Sequence, residues 1–91
     1  MKNTINSLAF LDSFSGLIPC KVIKIDDFFA NNPALAGRSS SCLITVQLTE
    51  KRGAYKKGEV HTGNALNIVP RNHIRYSNGI PRIVGGYVWE N

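Results

Sequence analysis

The chain has 91 residues, enough for one domain with one small hydrophobic core. Apolar residues make up 43% of it and charged residues 19%, a globular composition that excludes an intrinsically disordered chain. The formal net charge is +5, and no stretch approaches the ~18 apolar residues of a membrane-spanning helix. A core this small leaves little room for a catalytic cleft, so the composition favours a binding protein over an enzyme.

The net positive charge comes from the C-terminal part of the chain. Residues 51–82 hold seven Lys or Arg against the single acid Glu59, whereas the rest holds four Lys or Arg against five acids. Such an asymmetry indicates a nucleic acid or an acidic protein surface as the partner. The alternative is that the cations keep a small β-sheet soluble and protect its edges.

The N-terminal segment is weakly periodic. An apolar residue recurs at every third position from Ile5 to Phe14, and Gly16 could end a short helix. We therefore expect residues 1–17 to be an N-terminal tail or short helix. Residues 18–91 are expected to form a single small β-barrel domain.

Two segments have the composition of strands. The first, Ile18–Ile25, is short and β-branched, and its apolar residues on both faces predict a central or bulged strand. The second, Leu43–Thr49, alternates apolar and polar residues, with Ile44, Val46 and Leu48 on one face.

The connection between these two strands is long and contains signals of a helical turn. Asp26 or Asp27 could cap the turn, and Pro33 suits its first position. Phe28 and Phe29 lie at its start. They form either a lid over the mouth of the barrel or an exposed apolar anchor for a protein partner.

Further strand segments are predicted at Val60–Thr62 and Ala65–Val69, and Pro70 ends the second because proline has no N–H to donate. The sequence "PRNH" then fits one tight helical turn, and two last strand segments flank an Asn78-Gly79 turn. Short strands separated by frequent turns predict a small barrel or half-barrel. The core residues predicted for the central part of this region are Val60, Leu66, Ile68 and Val69.

Two passages resemble Src-homology-3 domains. "AYKKGEV" (Ala54–Val60) resembles the "FKKGE" turn of that family, and "NIVPRNHI" (Asn67–Ile74) resembles its "IPSNYV" strand–turn–strand passage. In the family a pair of strands lies between the two motifs, whereas here a short stretch joins them. The resemblance implies a mainly β fold: a small Src-homology-3-like barrel of five or six short antiparallel strands, with the helical-turn excursion between the first two. This broad class includes nucleic-acid-binding modules, and no proline-rich ligand is carried over.

Residues for catalysis or metal binding do not form a recognisable pattern. Cys20, Cys42, His61 and His73 lack the closely spaced ligand pairs that structural zinc sites use. The sequence contains no nucleophile elbow, no catalytic-cysteine signature and no phosphate-binding glycine loop. We therefore predict that the protein is not an enzyme and binds no metal or cofactor.

The basic region carries the strongest functional signal. Lys and Arg side chains on loop tips can follow a phosphate backbone, and a tyrosine can stack on an unpaired base for ~1–3 kcal/mol. The alternative for each tyrosine is a ring packed against the core. The predicted nucleic-acid-binding residues are Lys51, Arg52, Tyr55, Lys56, Lys57, Arg71, Arg75 and Tyr76.

Two functions follow from these observations. The first is a non-enzymatic small basic β-barrel that binds DNA or RNA through loop cations. The second is a protein-interaction, accessory or inhibitory module that docks an acidic protein surface, with Phe28 and Phe29 as its anchor. A free edge strand could also pair two copies into a homodimer. The two cysteines make no disulfide framework, and Asp12 and Pro19 do not fit a lipoprotein signal before Cys20, so we expect a cytoplasmic protein without a membrane partner.

Overall fold

The computed structural model describes residues 2–3, 5–28, 31–32, 34, 42–64, 66–85 and 88–89. This part of the chain is mainly β and contains no α-helix, and none of it forms a helix able to cross a membrane. Its strands are β1 (Lys2–Asn3), β2 (Leu8–Ser13), β3 (Gly16–Asp27), β4 (Cys42–Leu48), β5 (Val60–Asn64), β6 (Ile68–Pro70), β7 (Ile74–Ser77), β8 (Ile80–Ile83) and β9 (Val88–Trp89).

Seven of these strands are antiparallel. Five form one sheet in the order β5-β4-β3-β2-β6, and β7 and β8 form a separate hairpin. The short strands β1 and β9 pair with each other in parallel. The prediction of a mainly β, antiparallel fold is confirmed. Within the described ranges no ladder joins the edge strands β5 and β6, so the sheet is open there.

Strand β3 lies at the centre of the sheet. Its first half pairs with β2 and its second half with β4. The pairing register with β4 shifts between Val22 and Lys24, which marks a β-bulge. Because of the bulge, Ile23 and Lys24 are both exposed while Val22 and Ile25 are both buried. The strand is therefore central and also bulged, as its two apolar faces predict.

The hydrophobic core covers one face of the sheet. Strand β4 alternates between buried and accessible positions, which confirms the strand predicted over Leu43–Thr49. Trp89 of β9 packs into this core and is only 1% exposed, whereas Tyr55 contacts its margin. The sheet residues of the core are Ala9, Leu11, Ile18, Cys20, Val22, Ile25, Cys42, Ile44, Val46, Leu48 and Ile68.

The prediction of a tail or short helix over residues 1–17 is wrong for Leu8–Ser13, which form strand β2. Ala9 and Leu11 are buried two positions apart, so the segment follows the period of a strand. Residues 14–15 then make the turn of a β2–β3 hairpin. Pairing with β3 satisfies the backbone of this segment, whereas a helix of this length is marginal in water by itself.

Two further corrections concern the region around β5 and β6. Ile68 and Val69 are fully buried as predicted, but Val60 is 55% exposed and Leu66 is 63% exposed. Val60 is paired with the exposed Gln47 and so lies on the uncovered face of the sheet, and Leu66 lies in the turn before β6. Ala65 lies outside the described residues. So does most of the predicted excursion, including Phe29.

The last part of the chain follows the predicted turns. A 3-10 turn occupies Arg71–His73 after β6, where "PRNH" predicts one. Asn78 and Gly79 both have positive φ, 53° and 79°, as the central residues of a type I′ hairpin turn require. The resulting hairpin is tied to the 3-10 turn, because the Val84 N–H donates to the His73 carbonyl at 2.8 Å.

The one-sided core predicts very different effects for the same substitution at two positions. Ile44→Ala removes a fully buried side chain and is expected to lower the free energy of unfolding by about 2–5 kcal/mol. Ile23→Ala, at the exposed bulge, should cost less than about 1 kcal/mol. Urea unfolding measures both values, and equal losses would contradict the description of the core.

Candidate functional site

Four exposed cations lie on the connection between β4 and β5, residues 49–59, which we call the basic loop: Lys51, Arg52, Lys56 and Lys57. Both ends of the loop are held by backbone hydrogen bonds. The Leu48 N–H donates to the Glu59 carbonyl, and the Gly58 N–H donates to the Leu48 carbonyl. Within the loop, Arg52 and Tyr55 each donate an N–H to the other's carbonyl at 2.9 Å. The cations are therefore displayed on an ordered turn.

The basic loop packs against the tip of the β2–β3 hairpin. A Cβ atom added to Gly53 would lie 2.5 Å from Oγ of Ser15. The backbone of Gly53 also has a φ of 57°, in the left-handed region. A side chain at position 53 would thus be strained by its backbone conformation, and the Ser15 hydroxyl would have to move to make room for it. This contact places the loop beside Phe14, the neighbour of Ser15.

The charges of the basic loop are only partly neutralised. The Arg52 guanidinium lies 2.8 Å from the Glu50 carboxylate, and both side chains are about half exposed. An ion pair this exposed contributes at most about 1 kcal/mol. Lys51, Lys56 and Lys57 form no salt bridge with another described residue. The loop therefore keeps an excess of positive charge on its surface.

Tyr55 is half-buried and is held from the side by His61. The two ring centroids are 5.4 Å apart in an edge-on arrangement. His61 Nε2 lies 2.8 Å from the Glu59 carboxylate. The pKa of Glu59 lies below its ordinary value, chiefly because of this hydrogen bond and secondly because of a backbone hydrogen bond at Lys56. One side of the Tyr55 ring packs against the core, as the alternative to base stacking predicts, but part of the ring remains accessible.

Arg71 lies at the same end of the sheet's strands as the start of the basic loop. Arg71 follows Pro70, the last residue of β6. Pro70 belongs to a row of residues paired across four neighbouring strands, and this row ends at Leu48, the last residue of β4. Because the row spans three gaps between strands, about 14 Å separates its two ends. Arg71 and Glu50 both line a cavity of about 270 Å³ at this end of the sheet. The row consists of Pro70, Ala9, Cys20 and Leu48.

Arg75 and Tyr76 lie on a different structure, the β7–β8 hairpin. The Arg75 guanidinium turns back and donates to the Asn72 carbonyl at 2.7 Å. Arg75 is also paired in register with Arg82, so two cations stand opposite each other on one face. Tyr76 is 66% exposed and points to the other face, because consecutive strand residues alternate. These residues form a second basic cluster with its own support.

Phe28 follows the end of β3 that is remote from the hairpin tip. Its side chain is 68% exposed, as an anchor for a partner requires. Phe29, its companion in the sequence prediction, lies outside the described residues. Because β3 spans twelve residues, roughly 36–40 Å separates Phe28 from the tip of the β2–β3 hairpin.

The cysteines and histidines have separate local roles. Cys20 and Cys42 are buried free thiols, and burial raises the pKa of Cys20 to about 12. His61 faces Glu59, and His73 Nδ1 lies 3.0 Å from the Val84 carbonyl. No three His, Cys, Asp or Glu side chains in the described ranges are grouped so that they could hold a metal ion.

One exposed aromatic residue at this site was missed by the sequence analysis. Phe14 occupies the turn between β2 and β3, and its side chain is fully exposed. Its spacing from Leu11 suggested a helical stripe, which hid its place in the turn. The signal that could have revealed it is the sequence "SFSG", because Ser and Gly favour turns.

Comparison with models of protein families, with curated proteins and with solved structures found no match to this chain. The fold and the site together define a small, mainly β, antiparallel protein with an ordered basic loop.

The contact between Glu59 and His61 gives a prediction for pH. Because the folded-state pKa of Glu59 is lowered, its contribution to stability is present above the unfolded-state pKa. That contribution is lost as the pH falls through the folded-state value. An NMR titration should find the Glu59 carboxyl below its ordinary pKa, and His61→Gln should raise it. His73→Gln is the control; an equal rise in this variant would contradict the assignment.

Proposed function

We propose that the protein is a non-enzymatic nucleic-acid-binding protein that contacts phosphates through the basic loop. The observation that carries the proposal is the display of Lys51, Lys56 and Lys57 on a loop closed at its base by backbone hydrogen bonds of Gly58 and Glu59 with Leu48 of β4. Because the backbone of this loop is already ordered, only the lysine side chains lose conformational freedom when they meet a phosphate backbone. The two buried thiols also support a cytoplasmic location.

Arg71 extends this surface in the proposal. Its distance of about 14 Å across the sheet suits contact with a neighbouring part of the same strand of nucleic acid. Arg75 and Arg82 are paired in register on the β7–β8 hairpin, and in the proposal their positive charge offers a further contact for a phosphate. Tyr76, on the opposite face of that hairpin, is exposed enough to stack on a base.

We also propose that the fold belongs to the broad class of Src-homology-3-like small barrels. Support comes from the long bulged strand β3, which serves two neighbours, and from the 3-10 turn that follows Pro70 in the resembling passage. An experimental structure in which the β7–β8 hairpin connects the two sheet edges would support this class. A sheet that stays open at both edges would contradict it.

The main prediction of the proposed function concerns salt. Binding of a fluorescent random oligonucleotide, followed by anisotropy, should weaken about 100-fold between about 50 and 200 mM salt if some five phosphates are contacted. Lys56→Glu with Lys57→Glu should abolish binding at the higher salt and lower the log–log salt slope by about two.

The control for this experiment is Lys21→Glu with Lys24→Glu, which changes the net charge equally but on strand β3. This variant should retain most of the affinity. Equal loss in both double variants would contradict a site on the basic loop. Absence of any binding to DNA or RNA at low salt would contradict the function itself.

A second candidate function, docking of an acidic protein surface, is favoured by the exposure of Phe28. Aromatic side chains are enriched among the residues that anchor protein interfaces, and Phe28 is free to enter a partner's pocket at this end of β3. The basic surfaces would then steer an acidic partner rather than a nucleic acid.

Affinity capture from extract, with and without nuclease, separates the two functions. Under the second function a partner protein should remain bound after nuclease treatment and be released by Phe28→Ser. Phe10→Ser, in the half-buried middle of β2, serves as a control for damage to the fold. A partner that disappears with nuclease, or that is indifferent to Phe28, contradicts this candidate.

A further inference from the structure

We infer that the cavity between Phe14 and Tyr55 binds an unpaired nucleobase. This inference rests on the proposed function and specifies its ligand as single-stranded nucleic acid. The cavity measures about 420 Å³, within the range of small-molecule sites, and is open to solvent. Its lining residues are Asp12, Ser13, Phe14, Tyr55 and Asn67.

The turn that carries Phe14 is stabilised without help from its ring. The Ser13 hydroxyl accepts a hydrogen bond from the Ser15 N–H at 3.2 Å and donates one to the Gly16 carbonyl at 2.8 Å. The β2–β3 ladder extends to this turn. A fully exposed phenyl ring contributes nothing to the core. On an ordered turn, however, it offers a flat apolar face at low entropic cost to any planar ligand.

The second wall of the cavity is the accessible part of Tyr55, whose other side is fixed by His61. The exposed side chains of Asp12 and Asn67 line the same cavity. A carboxylate accepts hydrogen bonds from base amino groups, and an amide can both donate and accept. A cavity lined by two aromatic residues and by polar side chains offers contacts for both the face and the edge of a base.

The cations complete the site. The close approach of Gly53 to Ser15 holds the basic loop beside the Phe14 turn, and Arg52 and Lys56 flank Tyr55 along the chain. A base in the cavity would therefore have its flanking phosphates next to positive charge. The bases of a duplex are stacked inside the helix and cannot enter such a cavity, so the site selects an unpaired strand.

The test compares two labelled probes at the same low salt: an oligodeoxycytidine about twelve nucleotides long and a duplex of equal length. The full chain should bind the single strand more tightly. Phe14→Leu keeps an apolar side chain but removes the aromatic face. It should weaken binding of the single strand about 5- to 100-fold and change binding of the duplex less than about twofold.

The matched control is Phe28→Leu, the same change at an exposed phenylalanine remote from the cavity, which should leave both affinities unchanged. Unfolding in urea verifies that both variants retain the stability of the parent. Equal binding of both probes by the parent, or an equal effect of Phe14→Leu on both, overturns the inference and leaves phosphate binding standing. If neither probe binds at low salt, the proposed function fails together with the inference.

Discussion

The double pairing of strand β3 is the constraint on which the rest of the structure depends. Cys20 is paired with β2 on one side and with β4 on the other, and its side chain points into the core. The same row of hydrogen bonds determines where β4 ends and the basic loop begins. Through β2 it also determines the position of β6 and therefore of Arg71. Because side chains alternate along a strand, a register slip of one residue would invert the faces of the whole sheet. The bulge after Val22 lets both halves of β3 bury their apolar residues despite this strict alternation.

Local patterns predicted the elements whose structure depends on near neighbours. Strand β4 was predictable from the alternation of its residues, and the turn at Asn78 from a dipeptide whose backbone preference matches the hairpin twist. Strand β2 was not predictable in this way. The apolar residues of this segment have a spacing that fits a helix, while Ala9 and Leu11 have a spacing that fits a strand. Only pairing with β3 decides between the two. The prediction for Val60 failed for a similar reason, because only the register of β5 against β4, which pairs Val60 with the exposed Gln47, determines which face its side chain occupies.

The candidate site divides in the same way. Clustering of Lys56 with Lys57 is visible in the sequence, and a loop at this place follows from the glycines around them. The approach of this loop to the β2–β3 turn is a tertiary contact, made through Gly53 and Ser15, and no local pattern encodes it. For that reason the sequence did not predict that the exposed ring of Phe14 belongs to the candidate site. The candidate surface combines residues from the β2–β3 turn, the basic loop and the turn before β6. The charge pattern of the sequence revealed only the basic loop.

The pairing of Ala9 with Pro70 also has a consequence for the order of folding. The β2–β3 and β7–β8 hairpins join neighbouring segments and close small loops, so they can form early. Contact between β2 and β6 must instead close a loop that contains β3, β4 and β5, which carries a larger entropic cost. This long-range closure should therefore set the folding rate of the domain. It is also the step that brings Arg71 alongside β2, so Arg71 joins the row of paired residues that leads to the basic loop only after this closure has formed.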